Sequence, residues 1–431
     1  MKTLIDHIQI QCFGNQDAPI VDGCIAIDND RILYTGPRGG LPKDFEEDVT
    51  IEGTGKLALP GFINAHTHVA MTGLRGVGGD RDLFKWLQEE IFPAEDRMTG
   101  EDVYWLSMLG IAEMIRNGVT AFADMYNFEG QVAQAVADTG IRASLSRGVL
   151  SGPGEDARFA EAKELYDTWH GEAEGRIRTM VSAHAVYTCT DTTLIRVRNM
   201  AKEMKVPIHI HISETGKEVA DCIREHKRTP PRYLHDLGLF DVPVLAAHCA
   251  HVDEADMDLL AAHEVTAVHN PVSNLKLGSG IAPVPRMLEK GVCVALGSDG
   301  ASSNNNLSVL KELRTAALIH KGAARDPLLV TAYEACRMAT VNGAKALGWD
   351  DEIGTLEAGK KADLILLNTT APHWIPAQEP CAGLAYAAQE ADIDTVIVDG
   401  NVLMENRELT SIDLEEVGVK VQEIHDRITK K

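Results

Sequence analysis

Short apolar runs recur along the chain at about 58–65, 120–126, 142–149, 178–184, 206–212, 243–248, 265–269 and 292–298. Their length and composition predict buried strands. Between them lie amphipathic stretches, among them 101–117, 157–169, 192–204, 254–263 and 306–320, which predict helices. Eight such alternations over about 290 residues predict an α/β fold, a (β/α)8 barrel of the TIM type.

The two ends of the chain have a different texture. Residues 20–27 and 31–34 read as strands flanking Asp28-Asn29-Asp30, a hairpin-type connection, and 48–51 reads as another. Residues 362–367 and 395–402 look like further strands of the same kind. The expectation is a small β-sandwich domain built from both ends, 1–57 plus 360–410. The barrel over 58–359 is inserted between them, and 411–431 reads as a charged surface helix.

Composition narrows the partners. At 45% hydrophobic and 24% charged, the chain has the means to pack a core. Its net charge of 41 minus 64, or −23, argues against nucleic acid and anionic membranes. No run of 18 apolar residues and no basic segment leading into an apolar one is present, so a cytoplasmic protein is expected. The eight cysteines are scattered and never spaced Cys-x-x-Cys, which argues against a disulfide scaffold or a thiolate zinc site. Cys249 could be mistaken for a nucleophile, but a reactive thiol needs surroundings that lower its pKa.

Polar residues fall at the ends of the predicted strands. The first ends on His66 and His68, the fourth on His184, the fifth on His209 and His211 with Glu214 just beyond, the sixth on His248, and the eighth on Asp299. Active-site groups of such barrels cluster at the C-terminal strand ends. His66, His68, His211 and Asp299 make a set of three nitrogens and one oxygen suited to one divalent cation, zinc first and ferrous iron second. Such a cation lowers the pKa of bound water toward ~7. His209 shares the strand with His211 and is the alternative ligand. The fourth strand offers His184 and no lysine or carboxylate to bridge a second ion, so the site reads as mononuclear. Glu214 is placed to act as a general acid, with a solvated helix-start glutamate as the alternative. His248 reads as a hydrogen-bonding partner of the attacking water, with a core histidine as the alternative.

The stretches 60–68, His211-x-x-Glu214, Ala247-His248-Cys249, Gly297-Ser298-Asp299-Gly300 and 353–364 together resemble the amidohydrolase superfamily. Within it the chain is most similar to the 5′-methylthioadenosine/S-adenosylhomocysteine deaminases, near the triazine chlorohydrolases, over essentially its whole length. The resemblance implies that Glu95 accepts hydrogen bonds from ribose hydroxyls and that Trp86 packs beside the ligand. It further implies that Arg147 and Arg158 face the 5′ tail of the substrate, that His184 contacts the purine, and that the protein is a homo-oligomer, a dimer or tetramer. The stretch 269–277 also matches and reads as rim structure.

The expected reaction is hydrolytic deamination of an adenosine-type nucleoside at C6, with methylthioadenosine, S-adenosylhomocysteine, adenosine and 5′-deoxyadenosine as candidate substrates. In that scheme Asp299 takes the proton of the attacking water and relays it to the departing ammonia. Glu214 protonates N1, and His248 steadies the nucleophile. Competing readings on the same scaffold are a guanine, 8-oxoguanine or cytosine deaminase and a triazine chlorohydrolase. A metal-stabilised protein without activity is the non-enzymatic reading.

Overall fold

The computed structural model describes residues 1–14, 18–79 and 83–430. The first strands are β1 (Lys2–Ile10), β2 (Ile20–Asp28), β3 (Arg31–Pro37), β4 (Val49–Glu52) and β5 (Lys56–Pro60). β2 and β3 form a hairpin that pairs Asp28 with Arg31, and Asn29 occupies the left-handed region at its turn. An asparagine tolerates that conformation.

The barrel follows as β6 (Phe62–Thr67), β7 (Val119–Tyr126), β8 (Arg142–Val149), β9 (Ile177–Thr179), β10 (Val181–Ala185), β11 (Ile208–Ile212), β12 (Val244–His248), β13 (Thr266–His269) and β14 (Val294–Leu296). Eight of these run in the order β6-β7-β8-β10-β11-β12-β13-β14, every pairing parallel, and β9 extends the edge of β8. Every residue of β6, β7 and β8 is buried. Parallel strands covered on both faces lose the alternation of a half-exposed sheet. The two ends of the sheet meet through main-chain and amide contacts. Asp299 N–H donates to His66 O at 3.0 Å, and Ser298 N–H to Asn64 Oδ1 at 2.9 Å. The barrel thus closes at the strand ends that carry His66 and Asp299.

The chain then returns through β15 (Leu364–Asn368), β16 (Ile393–Val398), β17 (Asn401–Glu405) and β18 (Glu408–Leu409). These join β1–β5 in one nine-stranded sheet. Its halves enclose a cluster that includes Ile5, Ile8, Ile25, Ile27, Leu364, Leu366 and Ile397. The architecture is a TIM-type barrel with a β-sandwich built from both chain ends.

Two features differ from the sequence reading. The apolar run at 58–65 is divided between the two sheets: β5 pairs with β15 and β1, whereas β6 opens the barrel. The division falls at Gly61, where a Cβ would lie 2.0 Å from Thr120 Oγ1. Both segments are buried and apolar, so only their pairing separates them. The helix Leu414–Ile428 is not merely a surface element. Val417, Val421, Ile424 and Ile428 are buried, His425 Nδ1 donates to Gly73 O at 2.7 Å, and Arg97 donates to the carbonyls of Ile428 and Lys430. No described helix is long and apolar enough to cross a membrane.

Candidate metal centre and catalytic pocket

Ligand atoms of His66, His68 and Asp299 lie within 4.8 Å of one another, and so do those of His66, His211 and His248. Asp299 Oδ1 is 3.5 Å from His66 Nε2 and 3.3 Å from His68 Nε2. The ring orientations follow from the partners of the opposite nitrogens. His68 Nδ1 is 2.6 Å from Met125 O, and His211 Nδ1 is 2.7 Å from His184 O. A carbonyl accepts only, so both rings carry the proton on Nδ1 and turn a bare Nε2 inward. His66 Nε2 is fully buried with no hydrogen-bond partner. An orphaned imidazole lone pair facing a carboxylate is what a cation-binding site needs. The donor set fits a divalent metal ion.

Asp299 sits at φ 62° just past β14. Its Oδ2 accepts from Ser273 Oγ at 2.6 Å and Ser303 Oγ at 2.9 Å, and its Oδ1 accepts from Gly300 N–H at 2.8 Å. Burial alone would raise its pKa, but the neighbouring His66, His68 and His248 imidazoles hold it well below the carboxylate range. Glu214, 5% exposed, is raised by burial, partly offset by His248. It is not a solvated helix start: Thr215 caps the helix Gly216–His226, and the buried Glu218 carboxylate accepts from the backbone N–H of Ser213 and Glu214 at 3.0 and 2.8 Å. His248 Nδ1 lies 2.9 Å from Asn274 Oδ1, and its Nε2 is 3.9 Å from Glu214 Oε2. Burial disfavours its charge, yet Glu214 and Asp299 outweigh that and raise its pKa. His248 at φ 75° and Cys249 at φ 45° both sit in the left-handed region, which redirects the chain beyond β12. Cys249 is fully buried and absent from the lining of the catalytic pocket, and burial lifts its thiol above its usual range.

One cavity is lined by His68, Trp86, Glu95, Arg147, His184, His211, Glu214, His248 and Asp299. Tyr126 O–H donates to Glu95 Oε1 at 2.7 Å, and burial pushes Glu95 up to about 7. Trp86 Nε1–H donates to Val77 O at 3.0 Å, fixing the indole against the wall. His184 Nδ1 is 3.0 Å from Thr188 Oγ1, and burial lowers this histidine to about 4. Arg147 lines the cavity while Nε pairs with Glu161 and Nη1 donates to Gly148 O. Arg158 stands apart from the lining; its Nη1 donates to Pro153 O at 2.8 Å and Leu150 O at 3.3 Å. His209, the alternative ligand, is buried behind His66, with Nε2 2.9 Å from His66 Nδ1.

Sequence reasoning missed Ser273, Ser303, Asn274, Glu218 and Tyr126. The first signal that could have found them lies in 269–277: two polar side chains just past Pro271 at a strand end, one reaching Asp299 and the other His248.

Residues 57–403 match the family model described as the amidohydrolase family. A protein of Thermoanaerobacter pseudethanolicus called 5-methylthioadenosine/S-adenosylhomocysteine deaminase is 45% identical, the alignment covering 98% of each chain. The crystal structure of an adenosine deaminase from Xanthomonas campestris with bound zinc has a TM-score of 0.95 at 34% identity, covering 99% of this chain and 98% of that one. The atrazine chlorohydrolase of Arthrobacter aurescens, crystallised with zinc, has a TM-score of 0.91 at 25% identity, covering 98% and 100%. A barrel closed by His66 and Asp299, a histidine-carboxylate cluster on its rim and a match running through both therefore lead to one conclusion: this chain belongs to the amidohydrolase family.

Proposed function

We propose that the protein hydrolytically deaminates adenosine-type nucleosides, with 5′-methylthioadenosine and S-adenosylhomocysteine as its substrates. The observation that carries this reading is one cavity holding two carboxyl groups of opposite tendency, Glu214 pushed toward its protonated form and Asp299 held ionised. Paired groups whose environments drive them apart are an acid and a base. The relatives named for these two substrates support the choice.

His66, His68, His211 and Asp299 would hold a divalent cation, which we assign as zinc because the donor set suits it and the solved relatives carry it. When bound, it supplies Lewis-acid activation of water. Asp299 accepts the proton that the water loses as its oxygen bonds to C6. Two serine hydroxyls hold Oδ2 and the Gly300 N–H holds Oδ1, which fixes the carboxylate with Oδ1 toward His66 and His68. Glu214 donates its proton to N1, which draws charge from C6 as the new bond forms. His248 hydrogen-bonds the incoming oxygen. The C6–N6 bond then breaks, the amine leaves as ammonia with the proton held on Asp299, and the proton of the new C6 hydroxyl passes to Glu214 as the C6=O bond forms, giving an inosine-type product. Glu95 accepts from the ribose hydroxyls, Trp86 and His184 bound the base, and Arg147 faces the 5′ side. Arg158 is bound to its own loop, and we give it no substrate contact.

The test is ammonia release from methylthioadenosine, S-adenosylhomocysteine, adenosine and 5′-deoxyadenosine, with guanine, cytosine and a chlorotriazine alongside. Turnover confined to the nucleosides is expected. Turnover of guanine or chloride release from the triazine in their place would overturn the reading.

Glu95→Ala should lower kcat/KM on nucleosides by about 10–100-fold, the worth of charge-assisted hydrogen bonds lost to a diol. A free-base deaminase makes no ribose contact, so in one the same change would leave turnover largely intact. Glu95 also predicts a pH limb. As pH falls through about 7 this carboxylate takes a proton and loses acceptor capacity, so KM should rise on the acid side. Tyr126 opposes the upward shift by donating to the ionised form. Tyr126→Phe should therefore move the acid limb of kcat/KM to higher pH, as a pH profile will show.

A further inference from the structure

His68 and His211 are each oriented by a backbone carbonyl, but His66 is not. Its Nδ1 meets a second side chain, His209 Nε2, at 2.9 Å. The proton positions along this contact can be counted. Ser146 Oγ lies 2.8 Å from the Asp124 carbonyl, which only accepts, so the serine proton points there. The serine lone pairs are left to face His209 Nδ1 at 3.4 Å, so that nitrogen carries the ring proton. His209 Nε2 is then bare and accepts from His66 Nδ1–H. His66 Nε2 is bare in turn, and this is the orphaned atom that faces Asp299.

We propose that His209 is a positioning residue that accepts a hydrogen bond from His66 and fixes the tautomer and direction in which His66 presents Nε2 to the cation. The chain runs from the Asp124 carbonyl through Ser146, His209 and His66, and each member has one arrangement that satisfies the next. His209 is completely buried, with Nε2 turned to His66 Nδ1 and Nδ1 turned to Ser146 Oγ, so both of its ring nitrogens are engaged by the protein. A main-chain carbonyl cannot rotate away from its partner ring, whereas a side chain can be removed. Among the three histidine ligands of the proposed centre, His66 is thus the one whose orienting partner a single substitution can remove. This inference rests on the proposed metal centre.

Two measurements decide it. In the full-length protein stripped of metal, long-range proton–nitrogen spectra of the histidine rings should show protonated Nδ1 and bare Nε2 on both His66 and His209. A His209 ring protonated on Nε2 would overturn the proposal. Second, chelator competition with zinc should show His209→Phe weakening affinity about 10–100-fold, as loss of a ligand's orienting partner does. His209→Gln, whose amide oxygen can stand where Nε2 stood, should recover most of that loss, with KM at saturating zinc unchanged in both. Equal affinity in His209→Phe and the unaltered protein would sink the idea. The spectra need neither metal nor substrate, so they judge His209 even if the ammonia panel fails or a variant does not fold.

Discussion

Replacing Asp299 by alanine should lower kcat by about 10⁴-fold, the upper end of what a positioned proton-transfer group contributes. The effect is expected to be this large because the same carboxylate stands in two roles. In the proposed mechanism it completes the cation-holding set with His66, His68 and His211, and in the structure Ser273 and Ser303 hold its Oδ2 while Oδ1 faces both His66 and His68. Asp299→Asn separates the roles. The amide keeps the shape and one acceptor for the serine hydroxyls but has no basic oxygen, so turnover should fall nearly as far while zinc content falls less. Steady-state ammonia release and metal analysis on the same preparations give both numbers. An alanine variant within tenfold of the unaltered protein would remove Asp299 from the mechanism.

The second large effect is on stability and lies at the other rim. Arg142 opens β8, buried with 1% of its side chain exposed. Its Nε and Nη2 donate to both oxygens of Asp363 at 2.9 and 3.1 Å, and Nη2 also reaches Asp399 at 2.7 Å. The guanidinium lies 5.4 Å from the Trp349 ring, on whose face Arg178 also sits. Arg142→Ala leaves the buried Asp363 carboxylate without its counter-ion, whereas Asp399 keeps Lys361 at 3.3 Å and Arg176 at 3.8 Å, and breaking a buried pair costs about 3–5 kcal/mol. Urea unfolding should register that loss, while kcat of the molecules that remain folded should not change. Arg142→Ala combined with Asp363→Ala should lose less than the two single losses added together, because the second change removes a charge the first has stranded. A single-variant loss below about 1 kcal/mol would mean that water screens the cluster.

Why some of this is visible in the amino-acid order and some is not follows from distance along the chain. His66, His68, His211, His248 and Asp299 were legible because each ends an apolar run, and a barrel brings strand ends to one rim. The amphipathic stretches 101–117 and 254–263 correspond to helices Gly100–Arg116 and Glu254–Ala262, which Thr99 with Asp102 and Asp253 with Asp256 cap. The grip of Ser273 and Ser303 on Asp299 was not legible, since a serine in a short helix past a strand looks the same in sequence whether it faces water or a carboxylate. The split at Gly61 was hidden for a related reason. β5 and β6 are equally apolar, and only their partners, one from residues 364–368 and one from 119–126, assign them to different sheets. His209 carried a readable pattern with an ambiguous meaning. Period 2 placed it on the same face as His211, but the fold sets its Nε2 against His66 Nδ1.

The sandwich sheet also sets an order of events during synthesis. One edge of β5 is covered by β1, which precedes it, but the other pairs with β15, about 300 residues later. At ribosomal speeds of about 5–20 residues per second, that edge stays open for about 15–60 s while the barrel is being made. Leu57, Ala58 and Leu59 lie along it, all fully buried once the sheet is complete. An unpaired apolar strand edge invites pairing with another nascent chain. Aggregation of this protein during expression should therefore track the translation rate of the barrel more closely than the stability of the finished fold.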